Sequence, residues 1–395
     1  MLVNHDLPLE ISQKDELPPD LSLLRKNAVL AVEQGHNSSL LNSFDVHLHF
    51  VNVLLRYNSE APSPVLEDLA CVAITNMAFF LQQVGEQLIQ KAFTEDSKEA
   101  WASSGLYNKK AIGLLQLLNN LEIANSTHSL SLVQTYTKTW TLSQQLGVVM
   151  LSLSKLQSRV FGSTTKDSKY LKKNSSARYD RLLEFQESDL KDLAKSSLLY
   201  ARLCIGCRSS CSQLANTSAA TACEPLIQYL DSLTFILLSL DYYKNDDCGV
   251  AIGMLEAATD CLSGGLITSK QLKLIQETRK LKDRFSAKWN ELKSESTGMR
   301  SKLNPFKKQS SPEQPGLHPF LQSTLNDFII PLMMLLHYRY TKTNDKVFFQ
   351  PIVRDRQTLR NSWPQGKAPE VAGTIWVFDG DNLREAGESA GNDYY

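Results

Sequence analysis

The stretch Asp241-Tyr-Tyr-Lys-Asn-Asp-Asp-Cys-Gly-Val-Ala-Ile-Gly-Met-Leu-Glu-Ala-Ala258 indicates how this chain folds. An apolar helix ends in its polar first half, and a second helix begins directly after the acidic turn. The second helix carries Gly249, Ala251 and Gly253, whose small side chains allow a neighbouring helix to approach closely. Long helices joined by short turns are typical of a helical bundle or an α-solenoid.

Helical periodicity extends over most of the 395 residues, and strand signals are nearly absent before the C-terminus. No repeat of fixed period is present. The sequence therefore predicts an all-α fold. After a first helix capped by Asp20, helices are predicted near residues 38–58, 63–93, 97–124, 127–160, 178–214, 220–242, 246–263, 268–295 and 317–341.

Four stretches interrupt this pattern. Residues 1–19 are proline-marked and predicted to be extended, while residues 161–177 and 296–316 are polar and predicted to be mobile loops. Residues 356–395 are polar apart from Thr374-Ile-Trp-Val-Phe378, and we expect a flexible tail there.

The bulk composition excludes several function classes. The net charge is zero, so no global field attracts nucleic acid or a membrane. The seven cysteines are scattered, which is typical of reduced thiols in a cytoplasmic protein. We expect no signal peptide at the acidic N-terminus, and the uninterrupted apolar runs are shorter than the roughly 20 residues that cross a bilayer.

Three segments together resemble the BRO-domain family of adaptors. They are Lys244 with Gly249-Val-Ala-Ile-Gly-Met-Leu255, then Lys342-Thr-Asn-Asp-Lys-Val-Phe-Phe-Gln-Pro-Ile-Val353, and Ser197-Leu-Leu-Tyr-Ala-Arg-Leu-Cys-Ile-Gly-Cys207. The Phe-Gln-Pro form in the second segment is most similar to the fungal PalC branch. The resemblance covers roughly residues 1–355, so it implies one BRO domain: an elongated, boomerang-shaped helical module with a solenoid-like, tetratricopeptide-like core of long antiparallel helices.

The resemblance also implies a function. Members of this family are non-enzymatic adaptors that bind the C-terminal amphipathic helix of an ESCRT-III subunit, and the PalC branch supports alkaline-pH signalling. In that pathway a pH-responsive transcription factor is activated by proteolysis, and other components of the pathway are further candidate partners. The alternative within the family is sorting of cargo into multivesicular bodies. Both imply a cytoplasmic protein recruited to ESCRT-III at endosomes or the plasma membrane, with only peripheral membrane association.

The candidate partner-binding surface lies on the predicted helix 178–214. In a helical projection Leu199, Leu203 and Phe185 form an apolar line within the polar face, which is what docking of an amphipathic helix requires. By resemblance, Leu199 and Leu203 hold the ESCRT-III helix, and Arg202 would contact its acidic residues. The alternative is that these leucines are core residues. For Ile252 and Leu255 the same two interpretations remain, either the binding surface or core packing.

Two other groups of residues suggest different chemistry. Cys204, Cys207 and Cys211 are spaced for a thiol or metal site, but a fourth ligand is missing nearby, so we predict core cysteines, no metal, no cofactor and no enzyme. The basic residues at 155–181, among them Lys169, Lys172 and Lys173, belong either to an anionic-lipid contact or to a solvated loop. No motif predicts binding of nucleic acid.

Overall fold

The computed structural model describes residues 7–11, 17–33, 39–121, 127–161, 186–214, 220–280 and 316–386. It is predominantly helical, which confirms the predicted all-α class. The helices are α1 Pro19–Glu33, α2 Leu40–Glu60, α3 Pro64–Glu95, α4 Lys98–Asn120, α5 Thr127–Phe161, α6 Glu187–Leu193, α7 Ser197–Leu214, α8 Ala220–Lys244, α9 Cys248–Ser263, α10 Ser269–Lys280, α11 Pro319–Thr324, α12 Ile330–Thr343 and α13 Arg356–Asn361. Leu325–Ile329 and Asn344–Phe348 are π-helical, and strands β1 Trp376–Phe378 and β2 Leu383–Glu385 form a hairpin.

The chain folds into two compact units. The assignment of residues 1–355 to one BRO domain stays a prediction. Unit 1 contains Phe93–Asp96 and Val148–Pro369, and unit 2 contains Leu2–Ala92, Ser97–Gly147 and Glu370–Tyr395. Because α3 and α5 are long, each contributes residues to both units. Their length was predicted from periodicity, but no break in composition marks the boundary between the units.

Unit 2 is built on the apolar faces of α1 to α5. Phe50 and Leu54 of α2 and Met77 of α3 are fully buried in its core. The extended N-terminal segment packs against α3, where the Asn76 side chain donates to the carbonyl of Leu9 and accepts from its amide. Residues 7–11 and 17–18 are not helical, and the backbone of Leu9 is satisfied by a buried asparagine.

Unit 1 is organised around α8, which packs against both α7 and α9. Buried on several sides, α8 carries the fully buried Tyr229 and Phe235. The Tyr229 hydroxyl pairs with the Thr324 hydroxyl at 2.8 Å, which satisfies both polar groups inside the core. The stretch quoted at the start of the sequence is the α8–α9 turn, so the helix pair that it predicted is present.

The predicted flexible tail is wrong for residues 356–386. After α13 the chain continues as an extended strap (residues 362–369) in unit 1, and it then forms the β hairpin of unit 2. Trp376 and Leu383 of the hairpin are buried, and the Trp376 indole donates to the carbonyl of Lys110 at 3.1 Å. Sparse apolar residues at these positions anchor an otherwise polar segment, which composition alone does not reveal. Residues 387–395 lie outside the described chain.

Two helical stretches of the described chain are long and apolar enough to cross a membrane, Pro64–Glu95 and Pro319–Phe348. The lengths of uninterrupted apolar runs did not identify them, because both stretches contain scattered polar residues. In the fold, 61% and 67% of the most apolar 18-residue part of each stretch is buried, respectively. Packing inside the two units therefore accounts for their composition.

Candidate functional site

A break separates α6 from α7, where the sequence predicted one helix over residues 178–214. Ser196 has a φ of 72°, in the left-handed region, so the helix cannot continue through it. The Ser197 hydroxyl donates to the carbonyl of Ala194 and closes the turn. A single helical projection across this turn is invalid. The predicted alignment of Phe185 with Leu199 therefore loses its basis, and Phe185 lies outside the described residues.

The inner face of α7 is committed to the core of unit 1. Tyr200, Ala201, Cys204, Cys207 and Cys211 are all buried on this face. Tyr200, Cys204, Cys207 and Cys211 follow one another at intervals of three or four residues, which is the apolar stripe of an amphipathic helix. This face therefore offers no surface to a partner.

The outer face of α7 carries leucines that reach solvent. Leu199 is 48% exposed and Leu198 is 42% exposed, while Leu203, one turn beyond Leu199, is half-buried. Leu199 and Leu203 therefore do not belong to the fully buried core. Leu198 reaches solvent at a position about 100° around the helix from Leu199.

The strap crosses the same outer face one turn after Leu203. The Lys367 amide donates to the carbonyl of Arg202 at 2.8 Å, and the Arg202 Nε donates to the carbonyl of Gln365 at 3.1 Å. The strap approaches so closely at Gly206 that a β-carbon there would overlap the backbone of Lys367 and Ala368. The apolar surface, defined as Leu199 and Leu203, is thus bounded by an extended segment of the same chain.

Arg202 therefore supports the strap, and its contact with acidic residues of a partner stays a prediction. The Arg202 Nε is engaged by the strap. No pattern in the sequence predicted the strap. The one signal of it was Gly206, because a glycine in a helix interior costs about 1 kcal/mol and usually has a packing reason.

Ile252 and Leu255 of α9 are 1% and 0% exposed, so of their two interpretations core packing applies and the binding-surface interpretation is wrong. The small-residue face of α9 receives an extended segment, not a helix. A β-carbon on Gly249 would overlap the carbonyl oxygen of Pro351, and one on Gly253 would overlap that of Val353. These residues belong to two of the segments that resemble the BRO-domain family, 249–255 and 342–353. The two segments therefore pack against each other, and the Val353 amide donates to the carbonyl of Gly249.

The cysteine alternative gains no support from the geometry. Burial raises the pKa of Cys204 to about 12 and also raises that of Cys207, while a hydrogen bond with Cys223 and burial raise the pKa of Cys211. Their thiolates are therefore disfavoured at neutral pH. Within the part of the chain that the structure describes, no three His, Cys, Asp or Glu side chains are arranged to hold a metal ion.

The predicted lipid contact cannot be placed on the structure. Lys169, Lys172 and Lys173 lie outside the described residues, as do most of the two predicted loops. Arg159, at the described edge of this basic run, donates to the carbonyl of Lys195 in the turn before α7. One basic residue of the run thus supports the turn that orients α7.

Comparison with known proteins identifies relatives without assigning them an activity. The chain is 31% identical to an uncharacterized protein, YGR122W, of Saccharomyces cerevisiae, over 95% of this chain and 94% of that one. No solved structure matches it. A family of unknown function, DUF5355, matches residues 64–395, which include α7, the strap and parts of both units. The chain belongs to this family of unknown function, DUF5355.

Proposed function

We propose that this protein is a non-enzymatic adaptor and that its apolar surface on α7 binds the C-terminal amphipathic helix of an ESCRT-III subunit. The observation that supports the proposal is the exposure of Leu199, in a segment that resembles the helix-binding segment of the BRO-domain family. In a fungal cell the adaptor would support alkaline-pH signalling, in which a pH-responsive transcription factor is activated by proteolysis. Its place would be cytoplasmic, with recruitment to ESCRT-III at endosomes or the plasma membrane.

The apolar surface is suited to an amphipathic helix by its spacing. Leu199 and Leu203 are four residues apart and form one ridge on α7, which can fit between the apolar side chains of a docked helix. Complete burial of a leucine side chain stabilises a complex by about 1.5–3 kcal/mol. Leu199 is half exposed, so its burial under a partner helix can contribute about half of that free energy. A helix packing on a few such side chains binds with moderate affinity, as a reversible adaptor requires.

The strap forms one boundary of this surface. Because Arg202 holds the strap through Gln365 while its carbonyl accepts from Lys367, the boundary is fixed before a partner arrives. A fixed boundary lowers the entropic cost of binding and sets the position of the partner helix. In this proposal Arg202 is a positioning residue, and Leu199 and Leu203 make the contacts.

Growth of a fungal strain tests the proposed function in the cell. A strain that carries Leu199→Asp should lose growth at alkaline pH and processing of the transcription factor, because a carboxylate there would have to be desolvated against the partner helix. Leu106→Asp is the matched control, since Leu106 of α4 is 50% exposed and lies in unit 2.

The outcome also separates signalling from cargo sorting. A defect confined to alkaline pH in the Leu199→Asp strain, with normal sorting into multivesicular bodies, supports the signalling function. A sorting defect at every pH supports the alternative adaptor function. Normal growth and normal sorting at wild-type protein levels would contradict both.

A further inference from the structure

Two arginines pair with one buried carboxylate in unit 1, and a third arginine lies on the same short helix as one of them. Asp231 of α8 has a side chain that is only 6% exposed. Arg208 of α7 donates to one of its oxygens, and Arg360 of α13 donates to the other. Arg356, one helical turn before Arg360, donates to the sulfur of Cys261 at 3.1 Å. We call these five residues the basic cluster.

Three charged groups of the cluster act on the thiol of Cys261. Burial raises the pKa of its thiol to about 11, Arg356 and Arg360 act to lower it, and Asp231 acts to raise it. One side chain therefore lies within the fields of all three charges. The cluster joins four helices, α7, α8, α9 and α13, that come from distant parts of the sequence.

The basic cluster contains more positive charge and more donors than its own members neutralise. The cluster contains three guanidinium groups and one carboxylate, which leaves a surplus of two positive charges. Each guanidinium offers five N–H donors in a planar fork, far more than the two Asp231 oxygens and one sulfur accept. Solvent reaches this surplus, because the Arg208 and Arg360 side chains are 28% and 36% exposed and Arg356 is exposed.

The cluster is also held in place. The Arg360 guanidinium lies over the Trp363 ring at 5.2 Å, and Trp363 packs edge-on against Phe235 with the ring centroids 4.9 Å apart. Asp231 fixes the orientation of both Arg208 and Arg360 through its two oxygens. Arginines that are oriented before a ligand arrives lose less conformational entropy on binding it.

We propose that the basic cluster binds a phosphomonoester group, carried either by a soluble molecule or by a lipid headgroup. A phosphomonoester has a charge of about −1.5 to −2 at neutral pH, which matches the surplus, and its three terminal oxygens accept from several guanidinium forks at once. A single carboxylate neutralises only half of the surplus. Arg356 is the main ligand, because its charge has no carboxylate partner within the cluster.

Titration calorimetry at constant ionic strength tests the proposal on the full chain. Inorganic phosphate is the soluble probe, acetate is the monoanionic comparison, and vesicles with and without phosphatidylinositol 4-phosphate form a separate arm. Arg356→Gln removes the exposed ligand and keeps the pairs made by Asp231. Arg354→Gln is the matched control, since Arg354 is also exposed and pairs with Glu256 at 3.1 Å, outside the cluster. Circular dichroism verifies that both variants fold.

We expect saturable binding of phosphate that is stronger than that of acetate and that weakens about tenfold or more in Arg356→Gln, with Arg354→Gln within about twofold of the parent. Arg356-dependent binding to the phosphoinositide vesicles alone would support the same chemistry with a lipid as its source. Absence of binding in both arms would overturn the proposal. Equal weakening by the two variants would also overturn it, since that result reflects general charge rather than a site.

Discussion

Leu199 on α7 and Leu255 on α9 differ in how far they reach solvent: Leu199 is half exposed and Leu255 is fully buried. Both were candidates for one surface, and for Leu255 core packing was the alternative. A motif identifies the helix that carries a residue, whereas exposure depends on which segment packs over it. The strap and the 349–353 segment come from more than 90 residues further along the chain, so local periodicity could not predict their positions.

The burial of His47 predicts that the stability of the protein depends on pH. This histidine is fully buried in unit 2, and burial lowers its pKa to about 4 from 6.5. As the pH falls from 6.5 towards 4, His47 takes up a proton in the unfolded chain but not in the folded chain, so acid favours unfolding. Between pH 7 and pH 5 we expect His47 to account for a loss of about 2 kcal/mol in the free energy of unfolding.

Urea denaturation at the two pH values measures this contribution. His47→Asn keeps a donor near the carbonyl of Ser43, which the ring nitrogen contacts at 2.8 Å, but it cannot titrate. The variant should show a smaller loss between pH 7 and pH 5 than the parent. His318, whose pKa is also lowered to about 4, keeps part of the slope in both proteins. An unchanged slope in His47→Asn would contradict the assignment.

At the scale of elements, the sequence predicted helices well and their partners poorly. The predicted helix 246–263 is observed as Cys248–Ser263, and the glycines at its first turns were correctly interpreted as a close-packing face. The partner is an extended segment. Its backbone carbonyl oxygens approach the glycines more closely than the side chains of a second helix could. Periodicity reports which face of a helix is buried and carries no information about what covers it.

The closeness of this approach predicts the effect of a single methyl group. Gly253→Ala places a β-carbon on the Val353 carbonyl oxygen, so the segment must move, and we expect a loss of about 1–3 kcal/mol in the free energy of unfolding. Gly105→Ala is the control within α4, because a β-carbon there would have no described atom within 4 Å beyond the backbone of its own helix. That change should stabilise the chain by about 0.5–1 kcal/mol.

Thermal melting of the two alanine variants distinguishes the two effects. Both changes improve helix propensity equally, so any difference between them reflects packing against residues 349–353. A higher melting temperature for Gly105→Ala and a lower one for Gly253→Ala are expected. Equal stabilisation by both variants would show that the segment does not lie against α9 in solution.

For the whole molecule, the all-α class follows from the sequence because period and helix length are local properties. The division into two units does not, since α3 and α5 extend through both without a change in composition. The last part of the chain was also missed. Its few anchors, such as Leu359 and Trp376, are too widely spaced to produce a periodic signal, yet they are 2% and 7% exposed.

These long-range contacts are what define the candidate site. The helix α7 could be predicted from residues 197–207, and Leu199 and Leu203 could be selected on it by resemblance. The boundary of the surface could not, because it is made by the strap, some 160 residues away in sequence. The central claim is therefore that an exposed leucine beside the strap receives a partner helix.

Titration calorimetry of the purified chain with the C-terminal helix peptide of the ESCRT-III subunit tests this claim most directly. Leu199→Asp and the equally exposed control Leu106→Asp should both keep the circular dichroism spectrum and melting temperature of the parent, because neither replaces a buried side chain. We predict that the parent and Leu106→Asp bind the peptide alike and that Leu199→Asp binds at least about tenfold more weakly. Equal affinity of Leu199→Asp and the parent, or no binding by the parent, would contradict the account.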